Sequence, residues 1–115
     1  MVTPERRGVS RFPVGVAVDG SLRFADLAEP QDAHFLVAGT TGSGKSEWLR
    51  AALASLIAAN TAETLRLVLI DPKRTAFAAF AGSRALWRDI VYPSDEDVTA
   101  VFAALINEME TRYRA

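Results

Sequence analysis

Residues 36–48, Leu36-Val37-Ala38-Gly39-Thr40-Thr41-Gly42-Ser43-Gly44-Lys45-Ser46-Glu47-Trp48, read as a phosphate cradle. Gly39 to Ser46 match G-x-x-x-x-G-K-[ST] at every required position. Glycine lets the backbone bend round an anion with no Cβ in the way. Successive N–H groups then point inward as a nest. A helix that starts at the end of the loop adds its unpaired N–H groups and the positive end of its dipole. Lys45 supplies a mobile full charge for β- and γ-phosphates, and the Ser46 hydroxyl is placed to ligate Mg²⁺. All eight residues, Gly39, Thr40, Thr41, Gly42, Ser43, Gly44, Lys45 and Ser46, are candidate nucleotide contacts, with ATP and Mg²⁺ as the implied ligands.

The flanks fit such a loop. His34 to Ala38 form a short apolar run that stops at Gly39, which predicts a buried strand. From Lys45 to about Ala59, Trp48, Leu49, Leu53, Leu56 and Ile57 recur at helical spacing, and Asn60 is a C-terminal stop. Upstream, Val14, Val16 and Val18 alternate, Asp19-Gly20 signals a turn, and Leu22 and Phe24 alternate again, as in a β-hairpin. Leu65 to Ile70 predict a second apolar strand, ended by Asp71-Pro72. Residues 75–86 suggest a weak helix or irregular segment, and 89–92 a further short strand. Ser94 and Asp97 fit a capping box before a last helix with an apolar stripe of Val98, Val101, Phe102, Leu105, Met109 and Tyr113. Strands alternating with helices predict an α/β architecture with a mostly parallel sheet.

A nucleotide-hydrolysing site also needs acids. Leu67-Val68-Leu69-Ile70-Asp71 has the form of a strand ending in a Mg²⁺-holding Asp, so Asp71 is a second metal candidate. Pro72 and Lys73 stand where a catalytic Glu belongs, and Lys73 and Arg74 suit phosphate or acidic partners better than water activation. The competing reading of Asp71 is a strand-end cap on a turn. No catalytic residue is assigned.

Composition bounds the rest. The 115 residues are 50% hydrophobic and 23% charged, with net charge −1, which fits one globular domain and leaves nucleic-acid binding open. There is no cysteine, hence neither a disulfide framework nor Cys-based zinc. Residues 1–12 read as a flexible, basic lead-in without the apolar run of a signal peptide, and 13–115 as the domain. The longest apolar-leaning run, 51–59, is too short to span a bilayer. A soluble, cytoplasmic chain is expected. Arg6, Arg7 and Arg11 suit a solvated tail better than a DNA contact, and His34 a polar strand start better than a metal ligand. Trp48 belongs to the core or a subunit contact rather than a stacking platform.

Taken together, HFLVAGTTGSGKSEWLRAALASLI, LRLVLIDPKR and INEMETRYR resemble the FtsK/SpoIIIE family of DNA-translocase motors, in order and in spacing, from about Val14 to Arg114. The resemblance implies a RecA-like three-layer P-loop NTPase fold, incomplete here and preceded by the hairpin. It implies ATP hydrolysis coupled to movement of double-stranded DNA by a homo-oligomeric ring. It places Asp71-Pro72-Lys73 in a family segment that is not the Walker B strand, and puts the Mg²⁺-holding Asp, the catalytic Glu, the arginine finger and the DNA-facing loops beyond residue 115. The chain then reads as the N-terminal part of a motor domain. Two alternatives stand beside it: a nucleotide-binding fragment or accessory subunit without hydrolysis, and a motor of the same family that moves protein. Glu47-Trp48 after the loop leans toward an accessory member of the family.

Overall fold

The hairpin forms as β1 (Arg11–Val16) and β2 (Leu22–Asp26), paired antiparallel with a register shift between Pro13 and Gly15. This is a computed structural model, and it describes residues 8–40 and 42–114. The Asp19-Gly20 turn is closed by Ala17 N–H to the Ser21 carbonyl at 2.8 Å and by Ser21 N–H to the Asp19 carboxylate at 2.9 Å. The alternating valines face outward. The buried hairpin residues are Phe12 and Ala25, while Val14, Val16, Val18, Leu22 and Phe24 are exposed. Residues 11 and 12, read from the sequence as the end of the lead-in, lie in β1. Val9 exchanges hydrogen bonds with the Asn60 side chain, donating at 2.8 Å and accepting at 2.7 Å. Arg11 lies in β1 with its guanidinium 3.9 Å over the Phe24 ring. Arg6 and Arg7 lie outside the described residues.

Helix α1 (Lys45–Ala58) is the hub. One edge, with Ala52, Leu56 and Trp48, packs on Phe12 and Ala25 of the hairpin. The other, with Leu49 and Leu53, packs on Leu69, Phe77 and Ile90. Asn60 closes the helix by donating to the Leu56 carbonyl at 2.7 Å. Trp48 is tied at both ends of its ring system: edge-on to Phe12 at 6.2 Å, and through Nε1–H to the Val14 carbonyl at 2.8 Å. Trp48→Phe keeps the packing and deletes that bond. It is expected to cost about 1 kcal/mol in a urea titration, the usual worth of one hydrogen bond.

The mostly parallel sheet expected from the sequence is not formed among the described residues. The one sheet is the antiparallel hairpin. Parallel pairing is confined to two bridges, Leu67 with Leu86 and Ile70 with Val91. Between them one segment advances three residues and the other five, so two extra residues break the ladder. Residues 34–38, expected as a buried strand, carry no ladder, and Leu36 is 94% exposed. An apolar strand needs neighbours for its N–H and C=O groups, and this run has none among the described residues.

The last helix, α2 (Val98–Arg114), starts four residues after Ser94. Its cap is Asp97, whose carboxylate accepts the Thr99 N–H at 2.9 Å; Ser94 instead accepts from Arg74. Of its apolar stripe only Val101 is buried, and Phe102, Ile106, Met109 and Tyr113 are exposed. Glu108 and Arg112, which share the face of Val101 and Leu105, pair at 3.0 Å. The radius of gyration, 15.5 Å, exceeds the roughly 13 Å of a fully compacted chain of this length, as unpartnered apolar faces require. No described helix is long and apolar enough to cross a membrane.

Candidate phosphate-binding site

The loop has the shape its sequence demands. Gly42 (φ 83°) and Gly44 (φ 92°) take left-handed backbone conformations, where any Cβ is strained. Thr40 accepts from the Ser43 N–H at 3.0 Å, so the loop turns back on itself. Thr41 lies outside the described residues. Gly44 is the N-cap of α1 and makes no side-chain cap bond. Among the described residues the first-turn N–H groups of α1 therefore have no acceptor and are available to an anion. Lys45 folds back over the loop and donates from Nζ to the Gly39 carbonyl at 2.8 Å. Ser46, half-buried, sits in the first turn beside it.

These residues form one wall of a cavity of about 560 Å³. Its other wall was not placed against the loop by the sequence, although Lys73 was read there as suiting a phosphate or acidic partner. It comprises Lys73 and Thr75 from the segment after Asp71, together with Arg50 from the next turn of α1. Arg50 was findable, since it lies four residues after Ser46 and so on the same helix face. Among the described residues, Lys45, Arg50 and Lys73 have no carboxylate in ion-pair range, and the lining holds one acid, Glu47. The cavity is thus net cationic and opens on a helix N-terminus, the two conditions a polyphosphate requires.

Asp71 is placed differently from the metal-ligand expectation. It is 3% exposed and is absent from the cavity lining. Its Oδ2 accepts the N–H groups of Ala76 and Phe77, both at 3.1 Å, and Oδ1 accepts that of Thr75 at 3.3 Å. Burial raises its pKa, but the backbone donors of Phe77, Ala76, Thr75 and Arg74 outweigh burial and hold it below the ordinary 3.8. This is the turn cap of the competing reading. Arg74, at φ 59°, closes the far side of the turn, stacked 4.1 Å over Tyr92 and ion-paired with Asp95.

The donor set suits Mg²⁺ in one way only. Among the described residues no three acids or histidines converge as a metal cage. Mg²⁺ held by one hydroxyl and the oxygens of a bound nucleotide fits its preference for few protein ligands and retained waters. Ser46 is the residue that would hold it.

A helix opening on this loop in an α/β unit defines the P-loop class. The FtsK/SpoIIIE family model matches residues 1–115, and the chain belongs to that family, whose domain is a P-loop NTPase. It is 38% identical to the DNA translocase FtsK of Mycobacterium tuberculosis (strain CDC 1551 / Oshkosh) over 101 residues, 88% of this chain and 12% of that protein. It is 39% identical to the DNA translocase FtsK of Rickettsia bellii (strain RML369-C) over 115 residues, 97% of this chain and 15% of that protein. The DNA translocase FtsK of Rickettsia prowazekii (strain Madrid E) is 41% identical over 101 residues, 88% of this chain and 13% of that protein. The chain therefore spans less than a sixth of the length of these relatives.

Proposed function

We propose that this chain supplies the nucleotide-binding wall of an ATP-driven motor that moves double-stranded DNA. The observation that carries the reading is the cationic cavity built on Gly42–Ser46, with Lys45 across the loop and N–H groups at the start of α1 that have no acceptor among the described residues. ATP lies along this loop with its phosphates on the α1 N-terminus, Lys45 neutralises them, and Ser46 holds Mg²⁺. The shared name of the relatives, DNA translocase, favours DNA over protein as cargo. The motor reading further includes a RecA-like domain in a homo-oligomeric ring in the cytoplasm.

A narrower reading holds for the 115 residues alone: they bind nucleotide and do not hydrolyse it. Asp71 commits its carboxylate to a turn, and among the described residues the only acid lining the cavity is Glu47. The chain alone is expected to bind Mg-ATP without Mg²⁺-dependent phosphate release above background. The motor reading is tested by exchanging these residues for the matching segment of the Rickettsia bellii relative. The chimera is expected to hydrolyse ATP faster when linear duplex DNA is added. A folded chimera that binds ATP but ignores DNA overturns the motor assignment.

A further inference from the structure

Resting on the nucleotide reading of this cavity, we propose that Lys73 is a second phosphate-contacting cation, one that distinguishes a nucleoside triphosphate from a diphosphate. The segment that carries it is fixed from three sides. Asp71 holds the N–H groups of Thr75, Ala76 and Phe77 from within. Arg50 ties the Ala76 carbonyl to α1 at 3.2 Å. Arg74 clamps the outer side on Tyr92 and Asp95. Each neighbouring basic residue thus has an internal task, and Lys73 has none: no carboxylate among the described residues lies in ion-pair range, and its side chain lines the cavity across from the loop.

An unpaired lysine on a fixed turn, facing a phosphate cradle, has a defined electrostatic consequence. The loop N–H groups and Lys45 already enclose the phosphates that di- and triphosphates share. A cation on the facing wall contributes only when an additional phosphate extends toward it. Lys73 then adds affinity for the triphosphate and little for the diphosphate. A charge-assisted contact partly shielded from water changes affinity by about tenfold. Asp71 is the positioning residue of this arrangement, because its carboxylate sets the path of the turn that presents Lys73.

The test is calorimetric titration of the full chain with Mg-ATPγS and, separately, Mg-ADP. Lys73→Ala is expected to weaken ATPγS about tenfold and ADP by less than about twofold, with Lys73→Arg recovering most of the loss. Lys73 is exposed, so the alanine variant keeps the wild-type melting temperature. Lys45→Ala is the internal reference. If it abolishes binding of both nucleotides while Lys73→Ala weakens both equally, or neither, the proposal is overturned and the cavity reading stands. If wild type and Lys45→Ala bind alike, or wild type binds neither, the cavity reading falls and takes this proposal with it.

Discussion

Lys45→Ala is expected to lower the affinity of this chain for Mg-ATP by about a hundredfold or more, from loss of a charge-assisted contact to a phosphate. The fold should not register the change. The Lys45 side chain is exposed, and its one bond among the described residues runs to the Gly39 carbonyl, a group that water can satisfy. Alanine is also the better helix former at the first position of α1. The melting temperature is therefore expected to stay within about two degrees of wild type. Lys45→Arg separates charge from shape: it keeps the positive charge on a planar, bulkier head that suits a tight loop less well. An intermediate affinity for arginine and a large loss for alanine define a phosphate contact at Lys45. Equal binding by wild type and both variants, measured by titration with a fluorescent nucleotide, rejects the loop as the binding site.

The geometry of the loop was legible because it is local. A loop of eight consecutive residues fixes its own glycines, its own lysine and the helix that follows, and the structure starts α1 at Lys45 as the motif requires. Helix α1 was equally legible, since a stripe at 3.6-residue spacing needs no knowledge of what covers it. What failed was long-range. The run at 34–38 announces that it needs burial, but its partners lie outside that run, and Leu36 stands 94% exposed. The apolar segment at 65–70 finds a parallel neighbour, yet two extra residues on that neighbour reduce the ladder to two bridges. No periodicity within either segment records that mismatch. In the hairpin the valine alternation was real but marked the outer face, because the register shift after Pro13 leaves Phe12 as the inward residue. The facing wall of the cavity was invisible for the same reason. Lys73 is brought to Ser43, 30 positions earlier, by the packing of Phe77 and Leu69 against Leu49 and Leu53 of α1 and by the Arg50 bond to the Ala76 carbonyl.

That packing depends on Asp71, where the largest loss of stability is expected. Asp71→Ala deletes an acceptor of three backbone N–H groups, one of them on the buried Phe77. An ionised acceptor makes such bonds worth more than neutral ones, and an orphaned buried N–H adds its own desolvation cost, so the total is about 3 kcal/mol. For a domain of this size that lowers the melting temperature by roughly 10 °C. Asp71→Asn is nearly isosteric and keeps one carbonyl oxygen, but turns an N–H₂ group toward donors; about 2 kcal/mol is expected to be lost. The carboxylate also carries a pH signature. Its folded pKa lies below the ordinary 3.8. Above that ordinary value both folded and unfolded forms are ionised, and the contribution is complete. As the pH falls below it, the unfolded chain takes up the proton first, so stability declines. The contribution is gone once the pH passes below the folded value. The stability gap between wild type and Asp71→Asn, from urea titrations at successive pH values, is therefore expected to be constant from neutrality to about pH 5 and to close below pH 4. A gap that stays open at the lowest pH at which both proteins fold assigns the loss to shape and not to charge. A gap of zero at neutral pH removes Asp71 as the organiser of the turn.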